Sequence, residues 1–405
     1  MFLDRLEPES EGEPAGLLSA TRFHTHDTEE PLEVIRTLVL ASEVLDQRGV
    51  DNPREHIAVY EGPEGPFGES LATVMVSPRP LESDVLDALD ATAAEMEYTA
   101  LLTPSQAADP RYEELMTPGG PGGAVGQFSA DVSAPTDDRP FFFQMASLGD
   151  VLRLEGLDQD SHIFKGVYSL FFLGIGVLLL AAVCIGGPLV LIGRQASHKG
   201  RWPHYLYFIG IGLAFLLVEI SQLMRLSTFL GHPTYALVVV LFTVLVFSGL
   251  GSLVVERFID LSRPTSLLRP LVALLAVVIA FGLLTPGIID SQSGATTPVR
   301  VLVSVAILMP LSFAMGMPFA IGMRAAAADG APTAFLWGIN GATSVVSSVF
   351  AMIIAVFFGI SMTLNAGVAA YVLALGAMLV LVRRMSRAPQ PGEPRSDNDS
   401  GAGDG

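Results

Sequence analysis

In TDDRPFFFQM, residues 136–145, two aspartates, an arginine and a proline stand directly before three phenylalanines. Asp137 and Asp138 can accept hydrogen bonds from turn amides, from Arg139 or from the ammonium groups of a polyamine, since charged donors make the strongest bonds to carboxylates. Pro140 stiffens the exit, and Phe141, Phe142 and Phe143 can bury against a domain or lie at a lipid interface. Two readings follow: a clasp between a soluble part and a membrane part, or a substrate-amine site on the two aspartates.

A second group lies inside a long apolar run. Glu219 is a carboxylate in a segment otherwise suited to hydrocarbon, and such a residue is costly enough there to be a functional candidate. It either handles a proton or a cation, or it is a neutral, hydrogen-bonded glutamate that fixes helix packing. Gln222, three residues on, shares its face. Arg225, six residues on, is about 240° round the helix and is expected to snorkel to the surface. His232 and Pro233 follow Gly231 in what reads as a tight structural turn. Asn340 and Asn365 are expected to hydrogen-bond between helices, each contributing roughly 1 kcal/mol.

Charge divides the chain into two objects. Residues 1–160 hold 32 Asp and Glu against 9 Lys and Arg, while residues 161–405 hold 9 against 14, giving net charges of −23 and +5. So acidic a front part argues against a nucleic-acid partner, because phosphate backbones are bound by Lys and Arg; a solvated surface adapted to high salt fits it better. The lone cysteine, Cys184, lies in an apolar run, which leaves no intrachain disulfide and no cysteine-based metal site. The opening MFLDRLEPESEGEP lacks the basic start and apolar core of a signal peptide.

The elements that must position these groups differ between the two parts. In the front part, GLLSATRF (16–23) reads as a strand. It is followed by a helix from about Glu29 to Gln47 with Leu32, Ile35, Val39 and Leu40 at helical spacing, Thr28 as its cap and Gly49 past its end. Strands HIAVYEG (56–62) and SLATVMVS (70–77), a helix over about 82–96 and a strand YTALLTP (98–104) complete it. Strand, helix, strand, strand is how a doubly wound α/β domain finishes. No glycine-rich phosphate loop precedes it, so the chain reads as starting in mid-domain.

Behind it come seven apolar runs, at about 164–192, 204–224, 234–255, 267–289, 299–323, 333–358 and 362–382, each long enough to cross a hydrocarbon core. All should be helices, since lipid offers no partner for backbone amides. Small residues recur in GLGS (249–252), FAMGMPFAIGM (313–323) and GINGATSVVSS (338–348), which suits close helix approach. Eleven Lys and Arg, Arg194 to Arg395, fall after spans one, three and five and in the tail; only Arg153, Lys165, Arg225 and Arg300 fall on the other side. The positive side faces the cytoplasm, so the C-terminus is expected inside and residues 1–160 outside.

The ordered set GLLSATRF, VIRTLVLASEVLDQRGV, HIAVYEG, LATVMVSPRPL, TDDRPFFF, VEI followed by FLGHPTYA, and FLWGINGATSVVSSVFA resembles the C-terminal half of bacterial membrane proteins described as spermidine synthase-like. The resemblance covers nearly all of the chain. It implies a methyltransferase-like domain of aminopropyltransferase type between two membrane halves, with S-adenosylmethionine or its decarboxylated form as the cofactor of the full-length family. The family's glycine-rich cofactor loop and catalytic acids lie upstream of residue 1, so no catalytic or cofactor-binding residue carries over to this chain. The family's first membrane half has the pattern seen here at Glu219, Arg225, Gly231 and Gly249–Gly251. Spans two to seven therefore resemble one six-helix repeat that needs a partner, either a second six-helix half or another copy, and span one is an extra helix.

The expectation is a mixed fold. Residues 1–135 form the C-terminal part of a methyltransferase-like Rossmann domain, 136–163 a junction, 164–384 an all-α bundle of seven transmembrane helices and 385–405 a disordered tail. It is an integral protein of the bacterial plasma membrane with the lipid bilayer as partner. It is either part of a polyamine aminopropyl- or methyl-transfer enzyme, or a transporter-like module for a small amine or other solute. The candidate residues are Asp137, Asp138, Arg139, Glu219, Arg225, His232 and Asn340. Sidedness is contested: an S-adenosylmethionine-type domain belongs in the cytoplasm, which would require Gly186, Gly187 and Pro188 to break span one into a re-entrant helix.

Overall fold

The structure is a computed structural model that describes residues 3, 6, 16–25, 30–66, 68–117, 121–153, 162–187, 200–257, 259–260 and 262–386. The chain divides into two compact units, Met1–Phe171 and Phe172–Gly405.

The first unit is built on a four-stranded sheet of β1 (Leu18–Thr25), β2 (Ile57–Glu61), β3 (Glu69–Val76) and β4 (Thr99–Leu102), in the order β1-β3-β2-β4. β3 runs antiparallel to both neighbours, in register from Leu18↔Val76 to Thr25↔Glu69 and from Ile57↔Val76 to Glu61↔Ala72. Every strand pairing is therefore antiparallel, unlike the parallel ladder of a doubly wound sheet. β1 and β2 nonetheless point the same way, joined by helix α1 (Leu32–Gln47) and separated by the reversed β3.

Helix and sheet meet through their apolar periodicities. β3 alternates along its length, with Ser70, Ala72, Val74 and Val76 inward and Leu71 44% exposed, the two-residue period of a half-buried strand. Val34, Ile35, Leu38, Val39 and Leu45 of α1 are fully buried with Ile57, Val59, Ala72 and Val74 in one cluster. Pro31 rather than a capping side chain starts α1; Thr28 lies outside the described residues. Gly49 takes up the left-handed φ of 78° after the helix end, a conformation that glycine adopts without penalty. Helices α2 (Ser83–Glu95), α3 (Pro110–Leu115) and α4 (Leu148–Leu152) complete the unit.

Helix α5 starts at His162 and runs to Ala181, then continues through a π turn at Ala182–Gly186. The chain is still helical at Gly187, so Gly186 and Gly187 do not break it; Pro188 lies outside the described residues. The second unit takes in α5 from Phe172 onward, followed by α6 (Trp202–Leu230), α7 (Pro233–Val254), α8 (Leu268–Ser291), α9 (Thr297–Met315), α10 (Met317–Ala328), α11 (Thr333–Phe358) and α12 (Ile360–Met385). Seven candidate spans are long and apolar enough to cross a membrane; one of them, Thr297–Ala328, is interrupted at Gly316, so α9 and α10 share it. Large apolar side chains such as Phe242, Leu253, Leu283 and Leu302 are 68–76% exposed, as suits a lipid-facing surface.

α6 is the central helix: 56% of its apolar stretch is buried, against 17% for α11. On one side α11 donates from Asn340 Nδ2 to the Phe208 carbonyl (3.3 Å), from Ser344 Oγ to Gly212 (3.3 Å) and from Ser347 Oγ to Leu213 (2.6 Å). On another, glycines bring backbones together: a Cβ on Gly210 would lie 3.0 Å from the Ala370 carbonyl, and one on Gly367 would lie 2.7 Å from Val218. The Tyr207 hydroxyl donates to the Pro318 carbonyl of α10 at 2.7 Å, and His204 Nε2 pairs with Asp329 Oδ2 at 2.9 Å.

GLGS and FAMGMP turn out to meet each other. A Cβ on Gly251 of α7 would overlap the Phe313 carbonyl of α9, and one on Gly316 would overlap the Ser248 carbonyl of α7. By contrast, Gly249, Gly338 and Gly341 have no neighbour within 4 Å of such an atom, so helix approach does not explain those three.

Candidate functional site

TDDRPFFFQM is held to the first unit by an arginine on α1. Arg36 lies on the inward face of that helix and is only 4% exposed. Its Nε donates to the Ser133 carbonyl at 2.9 Å, and its Nη1 to those of Phe142 and Gln144 at 2.7 and 2.5 Å. Burial pulls the guanidinium below its ordinary pKa and the Asp131 charge opposes the shift; a guanidinium remains charged regardless. Two cations lie over the Phe142 ring, the Arg22 guanidinium at 4.8 Å and that of Arg36 at 5.8 Å from its centre, an attraction between cation and ring face.

The polar half of the stretch is a turn. The Arg139 amide bonds to the carbonyl and hydroxyl of Thr136, at 2.9 and 3.2 Å. Asp137 and Arg139 are exposed, and Asp138 is half-buried. Of the three phenylalanines, Phe142 is gripped by the arginines, while Phe143 is 64% exposed and meets Phe142 edge to face. The described contacts are those of a clasp onto α1, within the first unit.

A second polar cluster was missed from sequence. His24 near the end of β1, Glu61 at the end of β2 and Ser70 at the start of β3 converge: His24 Nδ1 is 2.8 Å from Glu61 Oε1, and Ser70 Oγ is 2.5 Å from both that oxygen and the His24 carbonyl. Nearby, Arg111 forks onto Asp109 (2.7 Å) and reaches Glu30 (3.2 Å), which accepts from the amide and hydroxyl of Ser129. The Arg111 bond holds the Asp109 carboxyl below its usual range, and burial, then the Asp109 charge, pushes the Tyr112 phenol well up. His24 and Glu61 lie at the carboxyl ends of the like-directed strands β1 and β2. Among the described residues no group of three or more His, Cys, Asp or Glu could hold a metal ion.

In the second unit, Glu219 lies within α6, half-buried, next to fully buried Ser221 and Gln222. Arg225 does not point to the surface as expected. It is half-buried, and its Nη2 donates to Ser361 Oγ of α12 at 3.1 Å. His232 Nδ1 accepts the Thr234 amide at 3.2 Å and so caps α7, after Gly231 has ended α6 with a φ of 74°. His232 therefore holds the turn between α6 and α7 through this cap. Asn340 makes the interhelical bond expected of it; Asn365 is exposed.

The structure therefore separates the candidates: Asp137, Asp138 and Arg139 share one turn in the first unit, while Glu219, Arg225, His232 and Asn340 spread along α6, the start of α7, and α11 in the second. Compared with protein-family models, curated proteins and solved structures, the chain matches none.

Proposed function

We propose that the chain is the C-terminal portion of a spermidine synthase-like integral membrane protein, in which the first unit supplies the closing strands of a domain for S-adenosylmethionine-type group transfer to a polyamine or related acceptor. The observation that carries this reading is the order β1-β3-β2, with two like-directed strands joined by α1 and a reversed strand between them. Open α/β sheets commonly carry such an antiparallel strand near one edge. Among the described residues β1 is an edge strand, and its Phe23 and the Leu71 opposite it on β3 are 54% and 44% exposed. An edge of eight residues with apolar neighbours supports a further strand and helix layer there. Polar groups at the carboxyl ends of β1 and β2 fit a substrate side in the same place. On this reading the glycine-rich cofactor loop belongs to another segment, so calorimetry should give no heat of binding for S-adenosylmethionine with the chain alone. Micromolar affinity would overturn the assignment of the cofactor contacts to another segment.

The protein belongs, on this reading, to the bacterial plasma membrane with its C-terminus in the cytoplasm, by the distribution of Lys and Arg. α5 supports a first span that crosses: its 26 described helical residues, 162–187, extend about 39 Å, more than a hydrocarbon core of about 30 Å. Residues 1–160 are then outside. A cysteine at exposed Ser105 in a Cys184→Ser background should react with a membrane-impermeant thiol reagent on intact cells. Reaction only after lysis would place the first unit in the cytoplasm and end the crossing of α5.

A further inference from the structure

Between the clasp and the first membrane helix the chain is bonded step by step rather than left as a free linker. Arg36 holds the carbonyls of Phe142 and Gln144, and Gln144 Nε2 donates to the Ala146 carbonyl at 2.7 Å. Met145 is buried in the core of the first unit. Ser147 and Asp150 then cap α4 reciprocally: Ser147 Oγ accepts the Asp150 amide at 3.2 Å and Asp150 Oδ2 accepts the Ser147 amide at 2.8 Å, which fixes the entry into the helix. α4 in turn meets α5, where the Tyr168 hydroxyl donates to the Asp150 carbonyl at 3.4 Å. Val151 is fully buried, and Val167 and Tyr168 are buried on a helix whose Lys165, Gly166 and Ser169 are exposed.

The Tyr168 contact sets the height of α4 at the bilayer. The stretch of α5 that is long and apolar enough to cross a membrane begins at Lys165, and Tyr168 lies three residues on, about 4.5 Å further along the axis. Helical side chains lean toward the N-terminus of their helix, so the Tyr168 hydroxyl returns to about the level of Lys165. With the described helix, residues 162–187, as the spanning segment, its length exceeds the hydrocarbon core by about 9 Å. Wherever α5 sits within that slack, the level of Lys165 stays within about 5 Å of the hydrocarbon boundary, in or next to the headgroup layer. Phe172 and Leu173, one turn past Tyr168, are 53% and 57% exposed and begin the lipid-facing surface of α5. Leu152, the last residue of α4, is 63% exposed at this same level.

We infer that α4 is a membrane-surface element whose Leu152 enters the boundary between lipid headgroups and acyl chains beside the first turns of α5, with bilayer lipid as its partner. Continuity selects lipid over a second copy of the chain. α4 is held where the lipid-contacting surface of α5 begins, and an apolar side chain at that depth already has an apolar solvent. The bonds from Arg36 through Asp150 to Tyr168 then tie the sheet of the first unit to the bilayer surface. The inference requires that α5 enters the membrane, and it is independent of the group-transfer reading.

The test uses the full chain in phosphatidylcholine nanodiscs, as Leu152→Cys in a Cys184→Ser background labelled with bimane. Bromine on the acyl carbons nearest the headgroup should remove most of the emission seen in unbrominated lipid, while aqueous iodide should remove little. The same label on Ser105→Cys, at an exposed position of the first unit, should respond to iodide and not to bromine. The unmodified chain gives a second reading that needs no variant to fold: phosphatidylcholine with a diazirine near the headgroup end of its acyl chain should crosslink to residues 148–153 as well as to Phe172 and Leu173. A label at 152 that bromine leaves unquenched, or crosslinks on Phe172 and Leu173 with none on 148–153, overturns the inference. Shielding of that label from both quenchers overturns it too, and would mean that protein, such as a second copy, covers Leu152.

Discussion

Replacing Arg36 by alanine should destabilise the first unit by about 3–5 kcal/mol, the cost of removing one member of a buried, charged hydrogen-bond network. The substitution leaves the carbonyls of Ser133, Phe142 and Gln144 without the guanidinium that bonds them. It also takes one of the two cations from the Phe142 ring. Arg36→Lys should recover only part of this loss, because an ammonium cannot reproduce the planar fork. Hydrogen–deuterium exchange on the full chain reads the effect directly: amides of α1 and of residues 131–145 should lose protection together. Unchanged exchange in residues 131–145 would mean that the clasp is held by something other than Arg36.

An effect of similar size is expected in the second unit from Gly316→Val or Gly251→Val. Each glycine lies where the other helix's backbone passes, at the Ser248 and Phe313 carbonyls respectively. Added carbons therefore meet main chain, which cannot rotate aside as a side chain can. A loss of about 3 kcal/mol or more follows, seen as a lower unfolding midpoint and poor accumulation in the membrane. Gly249→Ala, two residues from Gly251 but with no neighbour within 4 Å of its added carbon, is the control and should be nearly neutral.

The helices of the second unit are legible in sequence because lipid requires each one to satisfy its own backbone, so apolar length alone reveals them. Their ends are less legible. α6 runs to Leu230, six residues past the expected end at 224, because the charge of Arg225 interrupts the apolar run although its guanidinium finds Ser361 on α12. The run expected over 299–323 divides at Gly316 for the helix crossing with α7, a contact between segments that periodicity does not contain. In the first unit the four strands, α1 and α2 are visible in the sequence, whereas the short helices α3 and α4 carry too few residues to show a repeat. The order β1-β3-β2-β4 is not visible either, because pairing is set by partners distant in sequence.

The same distinction governs the sites. TDDRPFFFQM stands out as a string, but the described bonds of its turn involve Thr136, and its grip on α1 depends on Phe142 and on an arginine about a hundred residues earlier. One signal was available: Arg36 falls four residues after Leu32 and three before Val39, a charge on the helix's apolar stripe. His24, Glu61 and Ser70 carry no such mark, and only the register that sets His24 opposite Ser70 brings them together.

The open β1 edge leads to the measurement that bears most directly on the group-transfer reading. The chain should be produced joined to the polypeptide encoded immediately upstream, and titrated calorimetrically with S-adenosylmethionine and with its decarboxylated form. The expected result is saturable binding of one of them by the joined protein, none by the chain alone, and protection of β1 amides from exchange only in the joined form. An upstream sequence without a glycine-rich strand–loop–helix, or a joined protein that binds neither compound and leaves β1 exchanging freely, would contradict the reading of the first unit as the closing part of that domain.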